Sequence, residues 1–182
     1  MRKIKLYIAT SLDGFIADMD GGLDWLTAYP NPEQSDYGYR DFYNTVDILI
    51  MGGSTYQSIV DMDIPWPYAD KQTYVISRTK KSISNIVEVV GEDIVSKVAE
   101  WKSTTGKDIW LVGGGEAVSL FLNNNLVDAM EITAIPTLLG IGIPLFPTVQ
   151  KASNWAVTDV IKHSNGVVTT HYKIEDENKA VK

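Results

Sequence analysis

Six short runs of apolar, β-branched and aromatic residues punctuate the chain: 4–9 (IKLYIA), 46–51 (VDILIM), 73–77 (TYVIS), 86–90 (IVEVV), 108–112 (DIWLV) and 128–135 (DAMEITAI). Several are apolar at consecutive rather than alternate positions, the pattern of strands covered by helices on both faces of a parallel sheet. Between them the spacing predicts helices over 33–44, from a turn opening at Ser54, over 93–103 and over 116–124. In the third, Ile94, Val95, Val98 and Trp101 fall at i, i+1, i+4 and i+7, which predicts one apolar face. Strand and helix alternate, so crossover units are implied. The period then changes: residues 155–175 hold two β-rich runs joined by HSNG, and Asn165-Gly166 is a strong hairpin signal. The predicted fold is α/β and three-layered, a mostly parallel central sheet flanked by helices with a C-terminal antiparallel hairpin. With no internal repeat, residues 1–175 read as one domain and 176–182 as a flexible tail.

Composition narrows the function. At 182 residues and 45% apolar content the chain can bury a substantial core without staples. It contains no cysteine, which excludes disulfides, thiolate catalysis and Cys-ligated zinc, and its only imidazoles are His163 and His171, so no metal site is expected. A net charge of −7 argues against nucleic acid, whose affinity comes largely from phosphate neutralisation by Lys and Arg. Residues 132–150 carry no charge, yet Pro136, Gly140, Gly142, Pro144 and Pro147 interrupt them, so they read as a strand and a loop rather than a membrane span. The basic N-terminus meets Thr10, Ser11 and Asp13 too soon for an export signal, and a cytoplasmic protein is the expectation.

Two strand-to-helix turns carry the candidate chemistry. Gly52-Gly53-Ser54-Thr55 follows one apolar run, and Val112-Gly113-Gly114-Gly115-Glu116-Ala117 follows another. Glycine permits close backbone approach, and N–H groups at helix N-termini beyond the carboxyl ends of strands hold anions. A pair of such corners suits the pyrophosphate of a dinucleotide, although each alone would also serve as a tight turn. Neither has Rossmann or P-loop spacing. Ser77-Arg78-Thr79-Lys80-Lys81 is a local basic cluster suited either to a ribose 2′-phosphate, hence NADPH, or to a solvated loop.

Taken together, YIATSLDGFIA, ILIMGGSTYQSI, YVISRT, WLVGGGEAVSLFL and ITAIPTLLGIGIPLFP resemble, in order and spacing, the dihydrofolate reductase superfamily. Within it, SLDGFIA and PTLLGIGIPLF look more like the riboflavin-biosynthesis reductase, and MGGSTYQSI and VGGGEAV more like dihydrofolate reductase. The resemblance implies NADPH, its pyrophosphate on Gly52, Gly53, Ser54, Thr55 and Gly113 to Ala117, its adenosine end near Ser77, Arg78 and Thr79, and its nicotinamide near Ala9, Ile16 and Trp25. It also implies a small heterocyclic substrate, with 5-amino-6-(5-phosphoribosylamino)uracil as the leading candidate and dihydrofolate as the alternative. The acid that protonates the pterin in dihydrofolate reductases falls at Pro30, a usual cofactor arginine falls at Gly53, and a glutamate of the riboflavin-type enzyme falls at Gly113. Arg40 is the nearest replacement for that enzyme's substrate arginine.

Hydride chemistry needs no side-chain nucleophile, only orientation, dryness and a proton. Asp13, Asp24, Glu33 and ordered water are candidate donors, with Asp13 and Glu33 singled out, though Asp13 in SLDG equally suits a turn cap. Trp25, Arg40, Phe42, Tyr43 and Thr133 are candidate substrate contacts; Trp25 and Thr133 suit packing equally well. A module that binds the cofactor without catalysis is the third reading. The apolar PTLLGIGIPLF segment and the terminal ribbon could present a homodimer surface, as the resemblance suggests.

Overall fold

Consecutive apolar residues from Val46 to Met51 are consecutive because both faces of their strand are covered: Ile48 and Ile50 enter one core cluster, Val46 and Leu49 a second, and Met51 a third. The computed structural model, which describes residues 1–77, 87–91 and 93–175, places this strand inside an eight-stranded sheet. The elements in chain order are β1 (Ile4–Ser11), β2 (Phe15–Ala17), α1 (Asp24–Thr27), α2 (Tyr39–Asn44), β3 (Val46–Gly52), α3 (Gly53–Asp61), β4 (Gln72–Ile76) and β5 (Val87–Val90). There follow α4 (Ile94–Ser103), β6 (Asp108–Gly113), α5 (Gly115–Asn123), β7 (Ala129–Ile135), β8 (Ile143–Pro144), β9 (Trp155–Lys162) and β10 (Val168–Ile174).

The large sheet runs β5-β4-β3-β6-β1-β7-β10-β9. Its first six strands are parallel; β10 then pairs antiparallel with β7, and β9 antiparallel with β10. This is the predicted α/β architecture with its terminal hairpin. A small ribbon of β2 and β8 stands apart from the sheet and carries loop 136–147 back over residues 12–17, with Leu12 N–H donating to Thr137 O and Leu145 N–H to Gly14 O.

The sequence-based expectation departs from the structure in the early helix. Residues 33–38 are not helical, and α2 begins only at Tyr39. Positive φ at Gln34, Tyr37 and Gly38 is incompatible with a helix. The Asn31 side chain bonds Ser35 in both directions and Asp36 accepts from Gly38 N–H, so local side-chain bonds win over helical ones. In α4 the buried face is Ile94, Val98 and Trp101, while Val95 is 48% exposed, because i+1 lies about 100° around the helix. Asp93 caps this helix by accepting from Ser96 N–H. Among the described residues no helix is long and apolar enough to cross a membrane.

Candidate active site

Strands β3 and β6 are neighbours, so the two glycine turns at their carboxyl ends are neighbours as well. Helix α3 starts from an N-cap at Gly52 and α5 from an N-cap at Gly114, neither with a side-chain cap. The first N–H groups of each helix have no intrahelical acceptor, and the macrodipole adds partial positive charge. A Cβ on Gly52 would lie 3.7 Å from Ala117 Cβ and 3.8 Å from Gly113 O and Gly114 N, which shows how closely the two helix starts approach. A Cβ on Gly53 would lie 3.7 Å from Ile76 O and 3.9 Å from Ser77 Oγ, bringing the end of β4 to the same place. Ser54 is exposed on the first turn of α3 and Glu116 on that of α5, and Val112 packs beneath.

The two corners differ in what demands glycine. At Gly52 and Gly53 a Cβ would meet only ordinary van der Waals contacts and there is no positive φ, so neither packing nor backbone conformation requires glycine there. In the other corner Gly113 has φ +131°, a Cβ on Gly114 would approach Thr55 Oγ1 to 3.2 Å and Ile16 Cδ1 to 3.7 Å, and one on Gly115 would collide with the Pro144 carbonyl. Pro147 Cδ at 2.9 Å and Leu145 O at 3.2 Å complete the cover over Gly115. The chain itself presses against Gly115, whose Cα faces loop 136–147. The Gly113–Gly114 peptide is cis. Arg78 and Thr79, named with Ser77 for the adenosine end, lie outside the described residues.

Beside the cradle, β1, β7 and β10 bring Ala9, Thr133 and Thr169 into one row. Thr133 is 4% exposed and its hydroxyl meets that of Thr169 at 3.0 Å; Thr169 Oγ1 in turn meets His163 Nε2 at 3.1 Å. The next row on this face is Tyr7, Glu131 and His171, with His171 Nδ1 3.7 Å from Glu131. Desolvation pushes the Glu131 carboxyl up, against the opposing pull of His171 and Lys5. Trp25, on α1, has a buried Nε1 with no protein partner, an orphan donor of the kind a ligand satisfies.

The remaining candidates are distributed differently. Phe42 is 4% exposed, stacks on Tyr7 at 4.4 Å and meets Trp110 edge-on at 5.5 Å. Tyr43 donates to Asp70 and carries Lys71 Nζ over its ring at 4.3 Å; burial and the Asp70 bond push its hydroxyl up. Arg40 is exposed on α2, and its guanidinium makes no ion pair with a described residue. Glu33 is exposed in the loop preceding α2. Asp13 accepts from Ser11 Oγ at 2.6 Å, Gly140 N at 2.7 Å and Leu139 N at 3.2 Å. The Ser11 hydroxyl, then these two N–H groups, hold its carboxyl below the usual carboxylate range, so it clasps two loops in its ionised form. Among the described residues no cluster of His, Asp and Glu could hold a metal.

Sequence reasoning missed His163, Thr169, Asn165 and Tyr37. Asn165 Nδ2 donates to Pro30 O at 2.9 Å and to Tyr37 OH at 2.7 Å, docking the hairpin turn onto the loop that carries Pro30. The pairing register of β7 with β10 sets Thr169 opposite Thr133, and register is not written in local periodicity.

Comparison with known proteins agrees with this arrangement. The family model described as RibD C-terminal domain matches residues 2–169. YwjB of Bacillus subtilis (strain 168), a protein of uncharacterised function, is 42% identical over 146 residues, covering 80% of this chain and 83% of its own. A Shewanella sp. PV-4 protein provisionally assigned to riboflavin biosynthesis superposes with TM-score 0.87 at 33% identity, over 96% of this chain and 99% of that one. Dihydrofolate reductase of Enterococcus faecalis, solved with NADP(H), shares the fold at TM-score 0.70 and 16% identity, over 96% of this chain and 97% of that one.

Proposed function

The chain belongs to the RibD C-terminal domain family, within the dihydrofolate reductase superfamily, and from that premise we propose that residues 1–175 form one NADPH-dependent reductase domain for a small heterocycle. The substrate we favour is 5-amino-6-(5-phosphoribosylamino)uracil or a close relative. One observation carries the reading: two helix N-termini without side-chain caps, α3 and α5, stand side by side at the carboxyl ends of adjacent strands, at glycines that packing does not require on the β3 side.

These residues fit a bound dinucleotide. Backbone N–H groups of Gly53, Ser54 and Thr55 on one side, and of Gly115, Glu116 and Ala117 on the other, would hold the diphosphate, with the Ser54 and Thr55 hydroxyls as further donors. Ser77 and, by its chemistry, Arg78 with Thr79 would serve the adenosine end, and the arginine is the reason for choosing NADPH over NADH. Ala9, Ile16 and Trp25 would flank the nicotinamide, whose contribution when bound is hydride. Thr133 and the unpartnered Trp25 Nε1 would orient the substrate. Asp13, tied up and ionised, is better suited to holding loops than to releasing a proton, so the proton would come ultimately from water, with Glu33 as the carboxylate candidate. Arg40 would approach the substrate phosphate by side-chain motion, while Phe42 and Tyr43 would back the pocket.

Titration of NADPH and NADH fluorescence against the protein, followed by NADPH oxidation with the phosphoribosylaminouracil and with dihydrofolate, tests this. Tighter NADPH binding with turnover of the pyrimidine is expected. Binding of neither nucleotide rejects the reading; binding without oxidation of either substrate favours a non-catalytic module. A cytoplasmic homodimer completes the proposal: exposed Leu138, Ile141 and Phe146 in loop 136–147, and Val157, Val160 and Ile161 on edge strand β9, offer apolar surface for a second copy. Light scattering at monomer mass would remove that part.

A further inference from the structure

We infer that Thr133, Thr169 and His163 form a proton relay into the substrate end of the site, an inference that rests on the reductase reading for where that end lies. The first two are buried hydroxyls, 4% and 1% exposed, that meet at 3.0 Å, and the second meets His163 Nε2 at 3.1 Å. A hydroxyl can accept one hydrogen bond while donating another, so the three groups form a continuous path in which a proton enters at the imidazole and leaves at Thr133. His163 is only partly buried, so its ring joins this dry path to solvent.

The imidazole is held rather than loose. Its turn closes through His163 N to Val167 O at 2.9 Å and Gly166 N to His163 O at 3.0 Å, and Tyr37 packs its ring edge-on at 4.9 Å. Tyr29 OH donates to Asn165 O at 2.9 Å, while Asn165 Nδ2 binds Pro30 O. The hairpin turn therefore docks on the position where the resemblance places an acid in dihydrofolate reductases and this chain has proline. The groups facing His163 are Tyr37 from the loop and Thr169 from β10. The next ionisable groups on that sheet face, Glu131 and His171, face each other at 3.7 Å. Among the described residues no carboxylate forms an ion pair with His163.

The step balances as a reduction by NADPH. As hydride bonds to the carbon of a C=N or C=O group, that double bond's electron pair moves to the nitrogen or oxygen. That atom takes the Thr133 hydroxyl proton, Thr133 Oγ1 takes the proton of Thr169, and Thr169 Oγ1 takes the Nε2 proton of His163. Water then reprotonates the neutral imidazole, and NADP+ is the oxidised product. Thr133 alone touches substrate; Thr169 and His163 act through it as positioning and relay residues.

The test is kcat for 5-amino-6-(5-phosphoribosylamino)uracil and NADPH across pH, in H2O and D2O, for the unmutated chain and for H163Q, T169V and T133S. The unmutated protein shows a solvent isotope effect on kcat. H163Q and T169V lower kcat roughly 100-fold, the scale of a positioned acid, and lose that isotope effect, with NADPH affinity unchanged. T133S keeps a hydroxyl and keeps the isotope effect. As a readout independent of turnover, the His163 Nε2 resonance followed by 15N NMR shifts in T169V. Should H163Q fail to fold, the near-isosteric T169V carries the kinetic test. An isotope effect unchanged in H163Q or T169V, or a His163 resonance indifferent to T169V, overturns the relay alone. Absence of NADPH oxidation by the unmutated protein overturns the reductase reading and the relay with it.

Discussion

The corner at the end of β6 and the corner at the end of β3 look alike as glycine-rich strand-to-helix turns, yet different neighbours govern them. At the β6 corner the chain packs against the Cα side of the glycines: the Pro144 carbonyl, Leu145 O and Pro147 close over Gly115, and Thr55 presses on Gly114. At the β3 corner the neighbours of a Cβ would stand at 3.7 Å or beyond, and Gly52 has an extended φ of −74° that any residue adopts. One glycine run is thus required by packing, and nothing in the packing requires the other. A side chain should therefore harm stability at the first corner and ligand binding at the second.

The largest expected effect comes from Gly115→Ala. Overpacking against backbone carbonyls costs about 3 kcal/mol, and thermal denaturation should show a melting temperature lower by roughly 6–12 °C. An unchanged melting temperature would erase the distinction between the corners. Gly52→Asp sharpens the comparison because its two readouts move in opposite directions. An aspartate is a better N-cap than glycine and stabilises α3 by a few tenths of a kcal/mol, while its charge opposes a diphosphate at the same N–H groups. We expect NADPH affinity lower by roughly 10- to 100-fold, the loss of about 1.4–2.8 kcal/mol, with melting temperature held or slightly raised. Equal NADPH affinity in the variant, by fluorescence titration, would show that no diphosphate lies there.

The smallest effect concerns the clasp that steadies the covered corner. Asp13 ties residues 139 and 140 to the end of β1, in the same loop that reaches Gly115. Its folded pKa is lowered, so its contribution is present above the unfolded carboxylate value and fades as pH falls through the folded one. Asp13→Asn should show a small deficit in melting temperature at neutral pH that closes on acidification. A deficit that does not depend on pH would assign the clasp to shape rather than charge.

The predicted strand runs all recur as strands over the residues described, because burial on both faces leaves a local record, unbroken apolar residues. The hairpin was legible from Asn165-Gly166, and both glycine turns from their place after apolar runs. The helix predicted over 33–44 failed in its first half because Asn31, Ser35 and Asp36 satisfy backbone groups locally, a competition that periodicity does not register. Val95 was placed on a buried face for want of knowing which way α4 turns.

What residue order determined by itself was the alternation of strand and helix, the absence of thiol chemistry and the presence of two side-chain-poor corners. Each depends on residue type or on spacing within one turn of helix or strand. Tertiary structure alone decided at which corner packing requires glycine, because that turns on whether Pro144 and Pro147, distant in sequence, fold back onto Gly115. It also decided that His163 reaches Thr133 through Thr169, since strand register places side chains on a common face across 36 residues of chain. Contacts of that kind belong to the packed sheet and not to any local segment.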